Sequence, residues 1–428
     1  MAALGKLGRL SLVGVITLVV VLFGGPVSSG AIFLLLPAGS RGAPTQLSES
    51  YKPLHKGFVE LSTGLYTREN EDLVLTGTPP IVLRRTYMQS WRSDKQFGIK
   101  TTHNGEEYLI GDPKQFQWAA LITAQGNHIR FERTSPGTSY INAMFEHRTT
   151  HGEFLGAYLG WTGFGWTMRL RDGRQSSFQS CGPRSPKLCS LVHTRDAAGE
   201  TVTYKRDDSG KLLRMEASSN RWIALDYDDR NHIVRAYDSG GRAVRYAYDD
   251  RGRLTRVNTF DGQTLQYTYT DRDEMRTVAE PHASLENTYD SYGRCIRQVN
   301  HLPGDPEPFV FQFEYQGEGH DITQTTSRRS DGTWSRYTFD ANRRKGSEAW
   351  GADGQEPATL TYERDAVSGV VVGLTLTCPD RAGRQTSHSS RVQPGFEEWV
   401  TWDLFQTHCT WSDWIKDRHA RRLDRAAQ

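Results

Sequence analysis

The sequence contains little cysteine, and the few residues present do not have metal-site spacing. Five cysteines occur in 428 residues, without a Cys-x-x-Cys pair, and His408-Cys409 is an isolated doublet. Structural zinc sites draw on closely spaced cysteine and histidine pairs, so nothing here indicates one. In an exported chain, "CGPRSPKLC" could close a small loop through a disulfide between Cys181 and Cys189. An odd number of cysteines leaves at least one thiol free.

An excess of charge is also missing. The chain has 52 basic and 50 acidic residues and a formal charge of +2. Because nucleic-acid binding usually needs a strongly basic surface, we predict no nucleic-acid partner.

The sequence lacks the common catalytic motifs. No serine lies in a Gly-x-Ser-x-Gly elbow, and no glycine loop has phosphate-binding spacing. "GWTGFGW" (160–166) is aromatic and predicts a packed β-corner. The histidines are scattered: His103, His128, His147, His151 and His193. We therefore predict a protein that is not an enzyme and has no cofactor.

No charged residue occurs from Leu10 to Ser40, after the basic Lys6 and Arg9. This pattern fits a signal peptide, with small residues near position 29, or an uncleaved membrane anchor. Both alternatives export the rest of the chain. We expect an inner-membrane anchor facing the periplasm, or a secreted or cell-surface protein if the segment is cleaved.

Glycine and aromatic residues are plentiful, with 41 glycines and 11% aromatic content. This composition predicts a mainly β fold with many turns. Tyr227, Tyr248 and Tyr269 are 21 residues apart, and Tyr289 follows after 20. The full series of repeat positions is Tyr204, Tyr227, Tyr248, Tyr269, Tyr289, Tyr315, Phe339 and Tyr362.

Each repeat unit is predicted to form two strands joined by tight turns. Val244, Tyr246 and Tyr248 alternate with polar residues, which predicts a strand with one buried face. The apolar residues of the second strand lie three apart, as in Leu254 and Val257, Met275 and Val278, or Ile296 and Val299. An odd spacing predicts a recurrent β-bulge. The units should therefore form an antiparallel meander whose neighbours bury one another.

Paired aspartates in the turns, such as Asp249-Asp250, admit two interpretations. Calcium needs six or more oxygen ligands, whereas each turn offers two carboxylates and an arginine: Arg230, Arg251 or Arg272. We interpret them as turn residues, paired with the arginine of the same turn. The repeat tyrosines could stack on sugars, but their alternation favours core packing with a bonded hydroxyl.

Units such as "YDDRGRL" (248–254) resemble the YD repeats of the Rhs family. Residues 63–98 resemble the module that precedes such repeats, through Asp72-Leu73, Pro80-Ile81, Arg85-Thr86-Tyr87 and Phe97-Gly98. The Gly-Trp pair that normally follows at once occurs here only at 165–166.

The resemblance implies repeats that coil into a hollow β-shell around a C-terminal toxin, which self-cleavage releases near an Asp-Pro-x-Gly-Leu motif. That motif is absent from this sequence. We therefore expect a partial counterpart of such proteins, without the core or the toxin. The predicted fold is mainly β: an antiparallel YD-repeat meander forming a curved sheet or partial β-shell, with an N-terminal apolar helix and a short C-terminal helix.

The predicted organisation has five parts. They are a signal peptide or membrane anchor (1–43), an Rhs-type N-terminal module (44–98), a β-rich Rhs-like region (99–199), the YD repeats (200–380), and a linker with a Trp-rich, basic tail (381–428). Helical spacing in the tail favours a cap over the last repeat's open edge. A partner-docking helix or an effector remnant are the alternatives.

Three functions fit these observations. The first is an exported, non-enzymatic scaffold or interaction protein of the bacterial cell envelope. The second is a partial shell component of a polymorphic toxin system, and the third a carbohydrate-binding surface protein. The expected partners are the membrane, through the apolar segment, and a protein or surface glycan.

Overall fold

The computed structural model describes residues 57–91, 94–112, 114–148, 153–179, 189–302, 307–366, 369–379, 384–393, 400, 401 and 404. The predicted N-terminal apolar helix lies outside these residues. In the predicted C-terminal helix, only Val400, Thr401 and Leu404 are described. These three residues are helical and buried, but they are too few to give the bounds of a helix. Among the described residues, no helix has the length and apolar character needed to cross a bilayer.

The N-terminal part forms a small antiparallel sheet. Its elements are β1 (Gly57–Val59), β2 (Tyr66–Leu75), β3 (Ile81–Met88), the short hairpin strands β4 (Asp94–Lys95) and β5 (Gly98–Ile99), β6 (Thr101–His103) and a 3-10 helix (Asn104–Glu106). Strands β1, β2, β3 and β6 pair in that order. We call these four strands the N-terminal sheet.

The next eight strands close on themselves. They are β7 (Tyr108–Gly111), β8 (Trp118–Ile122), β9 (His128–Arg133), β10 (Met144–Glu146), β11 (Tyr158–Trp161), β12 (Gly165–Arg169), β13 (Gln175–Gln179) and β14 (Cys189–Arg195). Each pairs with its neighbour, and the start of β14 pairs with β7 through Cys189 and Leu109. The end of β14 pairs instead with β15, through His193 and Thr203. Strand β14 is thus the branch point at which the chain leaves the closed ring.

From β14 onward the sheet is a continuous antiparallel meander. Its strands are β15 (Thr201–Arg206), β16 (Leu212–Ala217), β17 (Trp222–Tyr227), β18 (Ile233–Asp238), β19 (Ala243–Tyr248), β20 (Leu254–Asn258), β21 (Thr264–Tyr269), β22 (Met275–Glu280), β23 (Ala283–Tyr289), β24 (Cys295–His301), β25 (Phe309–Glu318), β26 (Asp321–Arg329), β27 (Thr333–Phe339), β28 (Lys345–Ala352), β29 (Ala358–Arg364), β30 (Val371–Pro379) and β31 (Gln385–Arg391). The predicted mainly β, antiparallel meander is therefore present.

The predicted bulge lies where the three-residue spacing indicated. Tyr248 is opposite Leu254, whereas Ala247 is opposite Arg256, so Thr255 is the extra residue. The extra residue turns Leu254 and Val257 to the same buried face. The same shift recurs before Tyr227, Tyr269, Tyr289 and Phe339.

One unit departs from the predicted pattern. In β24 the buried residues with three-residue spacing are Cys295 and Gln298, while Ile296 is only half-buried. The prediction for Ile296 is wrong because the bulge places the residue directly opposite Tyr289, which is Cys295, on the inner face.

The main core lies between the N-terminal sheet and the inner face of the repeats. Val59, Tyr66 and Leu83 pack in one cluster with repeat residues such as Val257 and Phe311. A second core fills the ring and includes Phe131 and Trp166. Because strands from β15 to β27 contribute to the cluster around the N-terminal sheet, the repeat sheet must curve around it.

Candidate functional site: the docked N-terminal sheet and the adjoining cavity

A buried polar network joins the N-terminal sheet to the repeats. Arg85 on β3 donates two hydrogen bonds to the Asp72 carboxylate, at 2.8 and 3.0 Å. The Arg85 guanidinium also donates to the Tyr267 hydroxyl at 3.2 Å. The Tyr246 hydroxyl donates to Asp72 at 2.9 Å. Buried charges persist when they are paired and fully hydrogen-bonded, and the repeat tyrosines complete the bonding of this pair.

Tyr87 docks on the turn between β21 and β22. Its hydroxyl donates to the backbone carbonyl of Asp273 at 3.1 Å and accepts from the Met275 N–H at 3.0 Å. Burial raises the pKa of the Tyr87 phenol well above its ordinary value. This side chain therefore acts as a neutral hydrogen-bonding group that ties β3 to the repeats.

Gly98 brings the β4–β5 hairpin into backbone contact with a repeat turn. Its φ is +83°, and a Cβ there would lie 2.2 Å from the Gly252 carbonyl oxygen. The next residue, Ile99, donates its N–H to that same oxygen at 3.0 Å. Only glycine fits this left-handed backbone and close approach. Asp72, Arg85, Tyr87 and Gly98, which carry the resemblance to the Rhs module, thus all lie at the docking interface.

The turn aspartates hold their own turns closed. Asp249 accepts backbone N–H groups of Arg251 and Arg253, at 3.1 and 2.9 Å, and the Arg253 Nε at 2.7 Å. Burial raises the pKa of Asp249, but these bonds outweigh it and the pKa is lowered. The same aspartate–arginine pair recurs at Asp290–Arg294 and Asp340–Arg344.

The predicted arginine partners of these aspartates are wrong. Arg251 reaches into the next unit, where it donates to the Asp271 carbonyl at 3.2 Å and pairs with Asp273 at 2.9 Å. The aspartate is paired with the arginine four residues later because the turn places that side chain beside its own carboxylate. The middle arginine links neighbouring units.

The repeat tyrosines link each unit to the preceding one. The Tyr248 hydroxyl donates to the Ile233 carbonyl and the Tyr269 hydroxyl to the Leu254 carbonyl, each at 2.7 Å. Tyr227, Tyr289 and Tyr315 make the equivalent bond. Tyr204 packs partly buried against the main core with these residues, Phe339 belongs to that core, and Tyr362 packs against the core of the last strands.

His232 is a residue that the sequence analysis missed. His232 follows its turn aspartate, Asp228, by four residues, and Arg253 is the equivalent residue of the next unit. The His232 ring stacks on Tyr248 at 4.7 Å, and Nε2 lies 2.9 Å from the Asp94 carboxylate of the hairpin. The four-residue spacing from Asp228 could have marked His232 as a turn residue. The contact with Asp94 could not be predicted in this way, because the two residues are 138 positions apart in sequence.

The described candidate histidines are held in separate surroundings. Burial lowers the pKa of His103 to about 4, next to Glu106, and His147 bonds the Arg130 carbonyl. His128 and His193 lie on β9 and β14, while His151 is outside the described residues. Within those residues, no group of three metal-ligating side chains is found.

The cysteines are distributed between buried and undescribed positions. Cys295 is a buried free thiol, and burial raises its pKa. Cys189 takes part in a disulfide, and so does Cys378. Cys181 lies outside the described residues, so the Cys181–Cys189 pairing remains a prediction.

A cavity of about 340 Å³ lies beside the docked hairpin. Its walls come from three parts of the chain: the segment around the hairpin (Trp91, Asp94, Lys95, Gln96), the start of the ring (Glu106, Glu107, Tyr108), and two repeat turns (Lys211, Arg230, Asn231). The cavity is therefore formed only when the N-terminal sheet, the ring and the repeats are assembled.

Two family models match the chain: "Domain of unknown function (DUF6531)" at residues 56–131 and "RHS Repeat" at 227–264. The first covers the N-terminal sheet and the first strands of the ring. The second covers the unit that contains the Tyr248–Leu254 motif. No curated protein matches the chain.

Three solved structures show likeness at low identity. TcdB2-TccC3 without its hypervariable C-terminal region is 12% identical, with a TM-score of 0.35, over 73% of this chain and 20% of that one. The Photorhabdus luminescens Tc holotoxin pore is 11% identical, with a TM-score of 0.29, over 78% and 20%. A porin-like protein from Bacteroides uniformis is 12% identical, with a TM-score of 0.22, over 56% and 92%. This chain thus spans about a fifth of the toxin chains.

Proposed function

Since this chain is an Rhs/YD-repeat protein, we propose that it is an exported, non-enzymatic scaffold or interaction protein of the bacterial cell envelope. The apolar N-terminal segment would hold it at the inner membrane, or would be cleaved to release it. The proposal is supported by one observation above the others. The charged residues of the module, Asp72 and Arg85, form hydrogen bonds with each other and with repeat tyrosines. These contacts hold the N-terminal sheet against the repeats.

Export is tested with alkaline phosphatase, which is active only outside the cytoplasm, fused to the C-terminus of the full chain. The fusion should be active, and Val19→Arg, which interrupts the apolar segment, should abolish activity without preventing synthesis. An inactive wild-type fusion would contradict export.

The scaffold role is tested by cross-linking in intact cells, with a photoreactive residue placed at Arg245 or Gln266 on the exposed face of β19 and β21. A discrete protein or glycan adduct is the expected result. Matched positions with buried side chains, Val244 and Leu265, should give none. Equal labelling at the exposed and buried positions would contradict an interaction surface on this face.

The RHS-repeat match favours a second candidate, a partial shell component of a polymorphic toxin system. Here the full chain, induced in a laboratory strain, should arrest growth or should co-purify with a toxin encoded beside it. Unimpaired growth together with the absence of any adjacent toxin gene would exclude this candidate. Neither result bears on export of the chain.

A further inference from the structure

Three arginines lie side by side on the outer face of the repeats. Arg235 of β18 is directly opposite Arg245 of β19. Arg256 of β20 is the diagonal neighbour of Arg245, because it lies two positions before Asn258, the residue opposite Arg245. Arg245 and Arg256 are exposed, and Arg235 is half-buried. We call these three arginines the arginine patch.

The positive charge of the arginine patch is not neutralised within the described part of the chain. Its one ion pair joins Arg235 to Asp226 at 3.4 Å, and these side chains are 42% and 46% exposed. Arg245 and Arg256 have no hydrogen bond or ion pair with a described residue. The structure describes β18 to β21 in full, and their exposed and half-buried positions include no carboxylate.

This arrangement differs from that of a typical outer-face arginine in the same sheet. Arg276 of β22, for example, pairs with the Glu286 carboxylate of β23 at 3.5 Å. Like charges directly opposite one another destabilise a sheet, so the juxtaposition of Arg235 and Arg245 opposes folding. Departures of this kind from local stability are expected at functional sites, and here the missing component is a ligand with negative charge.

Neutral hydrogen-bonding groups adjoin the arginine patch. Asn258 is directly opposite Arg245, and Gln266 is directly opposite Arg256. Both amides are exposed, and an amide both donates and accepts hydrogen bonds. Because neighbouring strands are about 4.8 Å apart, each of these guanidinium groups has an amide beside it on the next strand.

We propose that the arginine patch binds an acidic polysaccharide. A guanidinium binds a carboxylate through paired hydrogen bonds, while sugar hydroxyls can bond to the adjoining amides. A lipid surface would call for large apolar side chains as well. Besides the arginines, however, the exposed residues of β19 to β21 are Ala247, Asn258, Gln266 and Thr268. The inference rests on the proposed interaction role and deepens it by naming the class of partner.

The test is calorimetric titration of the purified full-length protein with polygalacturonate, and with dextran as the neutral probe. Polygalacturonate should bind and dextran should not, and the affinity should fall as the salt concentration rises. Arg245→Gln and Arg256→Gln each remove one guanidinium and should weaken binding about tenfold. Because Arg245→Gln also removes the like-charge pair, it should not lower the urea midpoint of unfolding, whereas loss of a structural contact would lower it.

Arg297→Gln is the matched control. Arg297 is exposed on β24, and the residues opposite it are Thr288 and Gln312 rather than another arginine. The same change of net charge at this position should leave the affinity unchanged. An equal loss of affinity in Arg297→Gln and Arg245→Gln would show a response to net charge alone and would overturn the site.

Two other outcomes would also overturn the proposal. One is the absence of polygalacturonate binding. The other is a different class of partner: polyglutamate binding as tightly as polygalacturonate would indicate an acidic peptide, and phosphatidylglycerol vesicles released by Arg245→Gln would indicate a lipid surface.

The cross-linking assay in cells separates this proposal from the interaction role. A protein adduct at Gln266 without polygalacturonate binding would reject only the acidic polysaccharide. Polygalacturonate binding in vitro without any adduct in cells would instead count against the scaffold role.

Discussion

The Tyr246 hydroxyl and the Asp72 carboxylate are 174 positions apart in sequence and share a buried hydrogen bond of 2.9 Å. One belongs to a repeat strand and the other to the N-terminal sheet. Together with Arg85, they make the docking of the sheet depend on an ion pair that is removed from water.

Asp72→Asn should lower the free energy of unfolding by about 3–5 kcal/mol, because it leaves the Arg85 cation buried without a counter-charge. Urea unfolding measures this loss. The control is Glu71→Gln, which breaks the exposed Arg84–Glu71 pair of the same two strands and should cost at most about 1 kcal/mol. Adding Arg85→Met to Asp72→Asn should restore part of the stability. Equal losses in Glu71→Gln and Asp72→Asn would show that burial of the pair is irrelevant.

Gly98→Ala should destabilise the protein more than Gly262→Ala does. Both glycines have a φ of +83°, but a Cβ at Gly262 meets nothing within 4 Å, whereas one at Gly98 meets the Gly252 carbonyl. The shared backbone strain costs about 1–2 kcal/mol, and only Gly98→Ala adds a steric clash. Thermal unfolding gives the difference, and hydrogen exchange at the Ile99 amide should accelerate in Gly98→Ala alone. Equal effects would place the hairpin away from the repeat turn.

Tyr248→Phe and Tyr269→Phe should each lower stability by about 1 kcal/mol, because each removes one partly buried hydroxyl bond between neighbouring units. Equilibrium unfolding in urea provides the measurement. Tyr292, which is 52% exposed, is the control position, and its phenylalanine variant should match the wild type. If all three variants behave alike, the tyrosine hydroxyls do not hold the units together.

Glu60 should make stability depend on pH. Its carboxylate is buried and accepts hydrogen bonds from Ser62 and Thr63, yet burial raises its pKa from 4.5 to about 7. The folded state therefore binds the proton more tightly than the unfolded state. This stabilisation is complete below pH 4.5 and is lost as the pH rises to about 7.

The measurement is the difference in unfolding free energy between wild type and Glu60→Gln, at pH 5 and pH 8. The wild type should lose on the order of 3 kcal/mol more than the variant as the pH rises. Glu286→Gln, at an exposed position of β23, should follow the wild-type profile. Parallel profiles for wild type and Glu60→Gln would refute the role of this carboxyl.

The repeat could be predicted because its causes are local. The alternation of Val244, Tyr246 and Tyr248, the Asp-Gly turns, and the odd spacing between Leu254 and Val257 each act within one hairpin. Period-two strands and the bulge follow directly from those neighbours. Even the error at Ile296 was local, since Cys295 occupies the position that the apolar residue was expected to take.

Tertiary structure decided which residues of different segments contact one another. The sequence by itself marked Asp72, Arg85, Tyr87 and Gly98 as members of a module, but not as the face that meets the repeats. It also gave no indication that His232 would meet Asp94, or that β14 would pair with both β7 and β15. Local patterns determine which face of a strand is buried, whereas the partner that buries it depends on packing between segments that the local pattern does not connect.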